Sequence, residues 1–512
     1  MASTSEAATQ GSDAATPRVS PIRSATTLVV AGAALATTQL LAVRELVSGL
    51  FGEEVVILVV NATLFAAISC GYWLAPRMRR LGRVAEAAFL LGCALHLSLP
   101  VLPRRGFAWL AAHRWNGVAP LVMAIGVAVA LLAPLSTLLP RAVAAYADPV
   151  EGMRRSYSAE LAGFLLGLGL AQLCFGHGVE VLVALHWALL ALVAGLALGG
   201  RAFASVALPA VLLLPSLPAR AHAANNALYR DVHGLRSADV VFSVDSPYQR
   251  VEVVDSGAGR RSLYLDGLEN LNAGDLALLN EYLAVVPARI ARPASALVIG
   301  NGTLSLVAPL AALSNELVTV ELDPVVVSAG ERFFSPSAGR AGQTWRLVED
   351  DGKAFLASTS RVFDLIVIDV PSPLTFQEAF LHTREFYALV RSRLAPRGVV
   401  SVQLSGHRLG AIERSPSRVT AALASELPDL LVVESAVADR AFAYASRELP
   451  FGADDVRAVA PPSETRLVVL DAETVRARTR GAKPLDIDSL DLVLRRGLER
   501  LVDRRGSGGA GG

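Results

Sequence analysis

The chain has 512 residues, 53% of them hydrophobic and only 18% charged, with a formal net charge of +1 and a mean hydropathy of +0.46. Near-neutral charge without a basic stripe and interleaved aromatics leaves no nucleic-acid footprint. The length implies more than one domain, and the apolar excess lies before about residue 220, with ordinary globular composition after it.

Residues 1–24, rich in Ala, Ser and Thr, read as a disordered tail, and the Gly-rich residues 501–512 as a flexible one. The first apolar stretch is not a cleavable leader, because further apolar segments follow it. A spanning helix needs about 20 mainly apolar residues. Six segments meet that standard: 26–48, 54–75, 84–102, 117–140, 157–176 and 179–199. A seventh, 202–219, is shorter and carries Pro209, Pro215 and Pro218. Residues 25–220 thus read as a transmembrane helical bundle of six or seven spans, set in a lipid bilayer and, by its short loops, antiparallel. Cys70, Cys93 and Cys174 lie in apolar runs without metal-ligand spacing.

Arginines in short loops orient such a bundle. Arg18 and Arg23 precede the first span, Arg77, Arg79, Arg80 and Arg83 follow the second, Arg141, Arg154 and Arg155 follow the fourth, and Arg201 follows the sixth. All fall on one side, which reads as cytoplasmic. Arg104, Arg105 and Arg114 fall on the other. A spanning seventh segment puts the remainder of the chain outside the cytoplasm, whereas an interfacial one keeps it inside. Arg44, Glu45 and Glu160 sit at span ends, where snorkelling or structural pairing competes with a functional role.

Residues 221–290 read as a small β-region with its lead-in, with strands near 241–244, 251–254 and 262–265. Residues 291–500 alternate short apolar strands with helices, the pattern of a doubly wound, Rossmann-like α/β domain. Its strands fall at 296–299, 317–320, 345–348, 365–368 and 399–403, and 304–313 reads as a helix. Four strand ends carry candidate ligand-binding groups: Gly300 and Gly302, Glu321 with Asp323, Asp351 with Gly352, and Asp369. Ligands sit at the carboxyl ends of strands in such sheets. Glycines let the backbone approach a ligand, and Glu321, about 20 residues on, is placed to accept both ribose hydroxyls. Asp351 suits an adenine amino group. Leu304 and Ser305 break the dinucleotide fingerprint, which favours an S-adenosyl ligand over NAD. Helix capping is the competing role for these acids.

Ser246-Pro247-Tyr248-Gln249, Leu265-Asp266-Gly267, Asp275, the 298–302 turn, Val320-Glu321-Leu322-Asp323, Asp350-Asp351-Gly352 and the 364–369 strand occur in the order seen in spermidine synthases. Arg384-Glu385-Phe386-Tyr387, Gln403 and the 442–446 segment extend the resemblance, which covers about residues 240–450. Val43-Arg44-Glu45-Leu46 and Phe51-Gly52-Glu53-Glu54 resemble, more weakly, the bundle of bacterial membrane-fused members, whose place is the inner membrane. The resemblance implies aminopropyl transfer from decarboxylated S-adenosylmethionine to a small amine, without a metal. It makes Asp369 the base, gives Glu321 the ribose and Asp351 the adenine, and places Gln249 and Asp275 near the donor and acceptor amines. It also leaves a homodimer admissible. Three positions depart from the family. Thr303 and Ser372 stand where carboxylates are usual, and Leu279 where a tyrosine is usual. The nucleoside half of the site is therefore expected intact and the acceptor half altered. An S-adenosylmethionine-dependent methyltransferase and a non-catalytic, membrane-tethered ligand-binding module remain alternatives.

Overall fold

The computed structural model describes residues 21–503 except 116–117, 258, 336–344, 371–372, 374, 405–408, 410–413, 439, 463 and 465. Ser372 and most of the two expected tails therefore lie outside the described residues.

Among the described residues, ten α-helices form the first half: α1 (Pro21–Gly49), α2 (Glu54–Arg80), α3 (Arg83–His96), α4 (Val101–Ala112), α5 (Val118–Ser136), α6 (Leu138–Val143), α7 (Pro149–Gln172), α8 (Val179–Leu198), α9 (Gly200–Leu213) and α10 (Leu217–Asp231). Among the described residues, five stretches are long and apolar enough to cross a membrane: Ser24–Gly49, Glu54–Met78, Val118–Val143, Val179–Leu198 and Gly200–Asp231. The expected third span is instead the pair α3 and α4, bent by 77° and counted as a sixth only if taken as one. Pro100 and Pro103 sit at and just after that break, where proline interrupts helical hydrogen bonding. The expected fifth span forms α7, which is not among the five, because Glu151, Arg154, Arg155 and Glu160 dilute its apolar run. It packs tightly on α1 instead. A Cβ at Gly163 would overlap the Val29 carbonyl oxygen, one at Gly167 would overlap the Ala33 backbone, and one at Gly32 the Glu160 carbonyl oxygen. Small residues at such spacing let two helix backbones touch. The seventh segment is longer than expected: α9 and α10 together make a stretch of 32 residues that is long and apolar enough to cross a membrane.

The second half holds two sheets. Strands β1 (Asp239–Asp245), β2 (Arg250–Asp255), β3 (Arg261–Leu265) and β4 (Leu268–Asn272) form an antiparallel meander. Sequence reading missed β4 because Leu-Glu-Asn-Leu-Asn lacks an apolar alternation. The Asp266-Gly267 turn, with φ of +47° and +77°, specifies it. The larger sheet runs β12-β10-β11-β9-β8-β5-β6-β7. Its strands are β5 (Ser295–Gly300), β6 (Glu316–Glu321), β7 (Trp345–Glu349), β8 (Phe363–Asp369), β9 (Leu394–Gln403), β10 (Asp429–Ser435), β11 (Arg440–Ser446) and β12 (Val468–Leu470). The five expected strands are the parallel set, β5 to β9. The last three pair antiparallel and extend one edge beyond what sequence reading reached. Helices α11 (Leu276–Asn280), α12 (Val286–Ala291), α13 (Val307–Ala311), α14 (Pro324–Ala329), α15 (Gly352–Ser358), α16 (Phe376–Phe380), α17 (Arg384–Ser392), α18 (Ser415–Glu426), α19 (Ala453–Val459), α20 (Ala472–Arg478) and α21 (Asp491–Asp503) complete the domain. The helix expected at 304–313 shrinks to α13. Asn301 and Leu304, with φ of +65° and +56°, turn the chain before a helix can start.

Bundle and domain meet in a buried ion cluster. The Arg104 guanidinium on α4 donates to Glu45 of α1 (2.8 Å) and to Glu252 of β2 (2.9 Å). Arg250 of β2 pairs with Glu45 (2.6 Å) and with Asp245 of β1 (2.7 Å). Tyr229 of α10 donates to Glu252 at 2.8 Å. Burial alone raises Asp245 and Glu252. Arg250 beside Asp245, and Arg104 and Arg250 beside Glu252, outweigh it and hold both carboxyls below their ordinary range. The β3–β4 turn seats against the end of α1: the Gly52 amide donates to Asp266 O (3.1 Å), and a Cβ at Gly267 would overlap the Ser48 carbonyl oxygen. The α7–α8 loop joins the same junction through the Gly176 amide and Asp245 O (3.0 Å). The α/β domain therefore sits at one end of the bundle. Arg77 and Arg80 end α2, whose first residue Glu54 bonds to the Phe376 amide, and Arg154 and Arg155 begin α7, whose other end leads to the Gly176 loop, so these arginines lie away from the junction, about 40 Å along the 27 residues of α2.

Candidate functional site

Strands β5 and β8 are neighbours, and β6 continues the sheet on the other side of β5. Chain connections part in opposite directions there, leaving a crevice at the strands' carboxyl ends. A cleft of about 680 Å³ occupies it. Gln249, Asp275, Gly300, Gly302, Thr303, Glu321, Asp351, Gly352 and Asp369 all line it, so nine expected site residues converge from six segments of chain.

The glycine turn is built by close approach. Gly300 pairs in register with Asp369, has a φ of +86°, and a Cβ on it would meet the Asp369 carbonyl oxygen. Gly302 lies against Val326 and Glu321: a Cβ there would come within 3.1 Å of Glu321 Oε2. Asn301, between them, donates from Nδ2 to Asp369 Oδ2 at 2.7 Å and accepts the Leu306 amide at 3.1 Å. Sequence reading did not single out Asn301. Its signal was present, since a polar residue between two glycines at a strand's end has few other uses. Removal from water raises the Asp369 carboxyl, while the Asn301 hydrogen bond and the Arg440 charge oppose that rise.

Glu321 ends β6 with Oε1 accepting the amides of Leu322 (3.0 Å) and Asp323 (3.2 Å), which fixes the carboxylate and leaves Oε2 beside Gly302. Burial pushes its carboxyl up to about 7, the amides of Asp323 and Leu322 opposing and the Asp323 and Asp369 charges adding to the rise. Asp351 caps α15 through the Ala354 amide (2.8 Å) and also lines the cleft, so capping and exposure to a ligand coexist. Asp275 precedes α11 but makes no capping bond with its side chain.

Asp323 departs from expectation. It does not line the cleft. Its buried carboxylate caps α14 through the Val325 amide (3.0 Å) and accepts from Ser246 Oγ (2.7 Å) and Gln249 Nε2 (3.2 Å). Its role is to hold the 246–249 loop, one layer behind the ligand space. Leu279 and Thr303 line the cleft without charge, whereas Glu269, Glu378 and Arg440 add charges that sequence reading did not place there. Arg440 begins β11, beside the carboxyl end of β9, and was illegible while the β10–β11 hairpin was unread.

Residues 277–410 match the model of the spermine/spermidine synthase domain. This half of the chain is similar to the spermidine synthase family over that stretch. The chain is 31% identical over 172 residues to the polyamine aminopropyltransferase of Thermoplasma volcanium, covering 33% of this chain and 63% of that one. It is 34% identical over 181 residues to polyamine aminopropyltransferase 2 of Pseudomonas aeruginosa, covering 34% and 51%. The chain thus spans less than two thirds of the length of these curated relatives. The crystal structure of spermidine synthase from Thermotoga maritima superposes with a TM-score of 0.37 at 21% identity, over 51% of this chain and 88% of that one.

Proposed function

We propose that the cleft binds decarboxylated S-adenosylmethionine and transfers its aminopropyl group to a small amine, in a protein anchored by its helical bundle in a membrane. The observation that carries this reading is the meeting of Glu321, the Gly300–Gly302 turn and an Asn301-braced Asp369 in one cleft. Glu321 accepts the ribose hydroxyls and Asp351 the adenine amine. The attacking nitrogen must be neutral. Its lone pair forms the new C–N bond at the aminopropyl carbon attached to sulfur. The C–S bond breaks with its electrons going to sulfur, and methylthioadenosine leaves as a neutral thioether. Asp369 takes the proton from the new ammonium, and its raised basicity suits that task. In-line placement of the two reactants supplies the rest of the acceleration.

The acceptor side differs from the family pattern at Thr303 and Leu279, which offer no charge to a dication; Ser372 is the third such position in sequence. An unpaired buried ammonium is costly, so the acceptor's charge must be met by the other acids that line the cleft, Glu269, Asp275 and Glu378, and an acceptor other than a simple diamine fits this changed arrangement better. Full-length protein given decarboxylated S-adenosylmethionine and a panel of amines should release methylthioadenosine. Asp369→Asn should lower that rate about 10²- to 10³-fold, and an unchanged rate removes Asp369 from the base role.

One observation favours a second reading, an outward-facing ligand-binding module without turnover. The arginine-rich loops lie at the bundle end opposite the soluble domain, and such loops stay cytoplasmic. This orientation puts the cleft outside the cytoplasm, where S-adenosyl donors are not made. A reporter pair fused after Asp231, one active only inside and one only outside, separates the readings: outside activity supports the second, inside activity the first.

A further inference from the structure

Arg44 is the last arginine of α1, and its guanidinium reaches out of the bundle. Nη2 donates to Ser246 O (2.9 Å) and Pro247 O (3.2 Å), and Nη1 to Tyr248 O (3.1 Å). Asp266, at 3.5 Å, balances its charge. Three consecutive carbonyls turned toward one planar cation fix the loop's backbone, because a fork of rigid donors loses little freedom on binding. Two residues of that loop, Tyr248 and Gln249, line the cleft. Gln249 in turn donates to Asp323, whose amide donates to Glu321. The bonds from α1 to the carboxylate assigned to the ribose are therefore continuous: Arg44, the loop, Gln249, Asp323, Glu321. The bundle also touches a second part of the rim. Glu54, the first residue of α2, accepts the Phe376 amide at 3.0 Å, and α16, which that amide begins, contributes Gln377, Glu378 and Phe380 to the lining. An anchor that merely held the domain at a surface would need none of these bonds at the cleft.

We infer that Arg44 is a positioning residue: the end of the first bundle helix fixes the 246–249 wall of the cleft, so that the ligand affinity of the soluble domain depends on a residue of the bundle. Only the ligand readout of this inference rests on the nucleoside reading of the cleft.

The test uses the full chain in nanodiscs. Arg44→Met keeps the apolar stem and removes the donors. Arg44→Met/Asp266→Asn does the same without leaving a carboxylate unpaired, and Arg44→Lys reaches one carbonyl but not three. Arg105→Ala, an exposed arginine on α4, is the control. Hydrogen–deuterium exchange of the peptide covering 246–250 is read without ligand, and methylthioadenosine affinity by calorimetry. The expected result is exchange faster by about tenfold and affinity weaker by about tenfold in the Arg44 variants, with the control unchanged. Arg44→Met combined with Gln249→Ala should weaken affinity no more than the stronger single change, since both act through one loop. Unchanged exchange overturns the inference, as does faster exchange with unchanged affinity, or strict additivity. Faster exchange in a protein whose wild type does not bind methylthioadenosine upholds the clamp and overturns the nucleoside reading instead. If Arg44→Met does not fold, the double variant and Arg44→Lys carry the same readouts.

Discussion

Glu321 sets a pH dependence that belongs to one side chain. Its carboxyl stands near 7 in the free protein because burial disfavours the anion, with neighbouring acids adding to the rise. A ribose donates two hydroxyls and so needs the anion. Affinity for methylthioadenosine should therefore fall about tenfold per pH unit below 7 and level off above it. Glu321→Gln should bind weakly at every pH and show no such slope, as titration calorimetry across pH 5 to 9 will read; a wild-type curve flat over that range contradicts the role. The same shift acts oppositely on stability. The folded protein holds this proton longer than the unfolded chain, so its contribution declines as pH rises from about 4.5 to 7. At this scale much was legible: the strand-end acids and glycines that the sequence singles out converge on one cleft. Asp323 was ambiguous, because a carboxylate two residues past a strand serves capping and ligand binding with the same sequence; the structure shows the cap. Arg440 was illegible because its place in the cleft depends on a strand that the fold brings alongside.

Two elements owe their form to contacts that no local pattern reveals. Helix α7 looks like a span with polar ends, yet it is shaped by glycines that admit α1 at backbone distance. The meander β1–β4 is too polar to have a strong signal in its last strand, and it is held by the ion cluster of Glu45, Arg104, Arg250, Glu252 and Asp245. Arg104 is fully buried and joins α1, α4 and β2. Removing one partner from such a cluster leaves others buried without a counter-charge, which costs about 3–5 kcal/mol. Arg104→Met should therefore lower the thermal unfolding midpoint steeply or expose the α10–β1 connection to protease. A midpoint within a degree of wild type would show that the cluster does not hold the junction.

The whole molecule is a bundle and a domain joined at a cleft wall rather than by a linker. Composition alone divided the chain, since apolar runs of about 20 residues and short strand–helix alternation have different periods and lengths. What composition could not reveal was the junction, because Arg44 and Glu45 at a helix end look the same whether they snorkel or grip another domain. The resemblance to spermidine synthases covers only the second half of the chain. The claim on which the rest stands is that this cleft holds an adenosine-type ligand. Its most direct test is titration of the full chain with methylthioadenosine at pH 8. One saturable site per chain is expected, lost in Glu321→Gln; no saturable binding to the wild-type protein would contradict an adenosine-type ligand in this cleft.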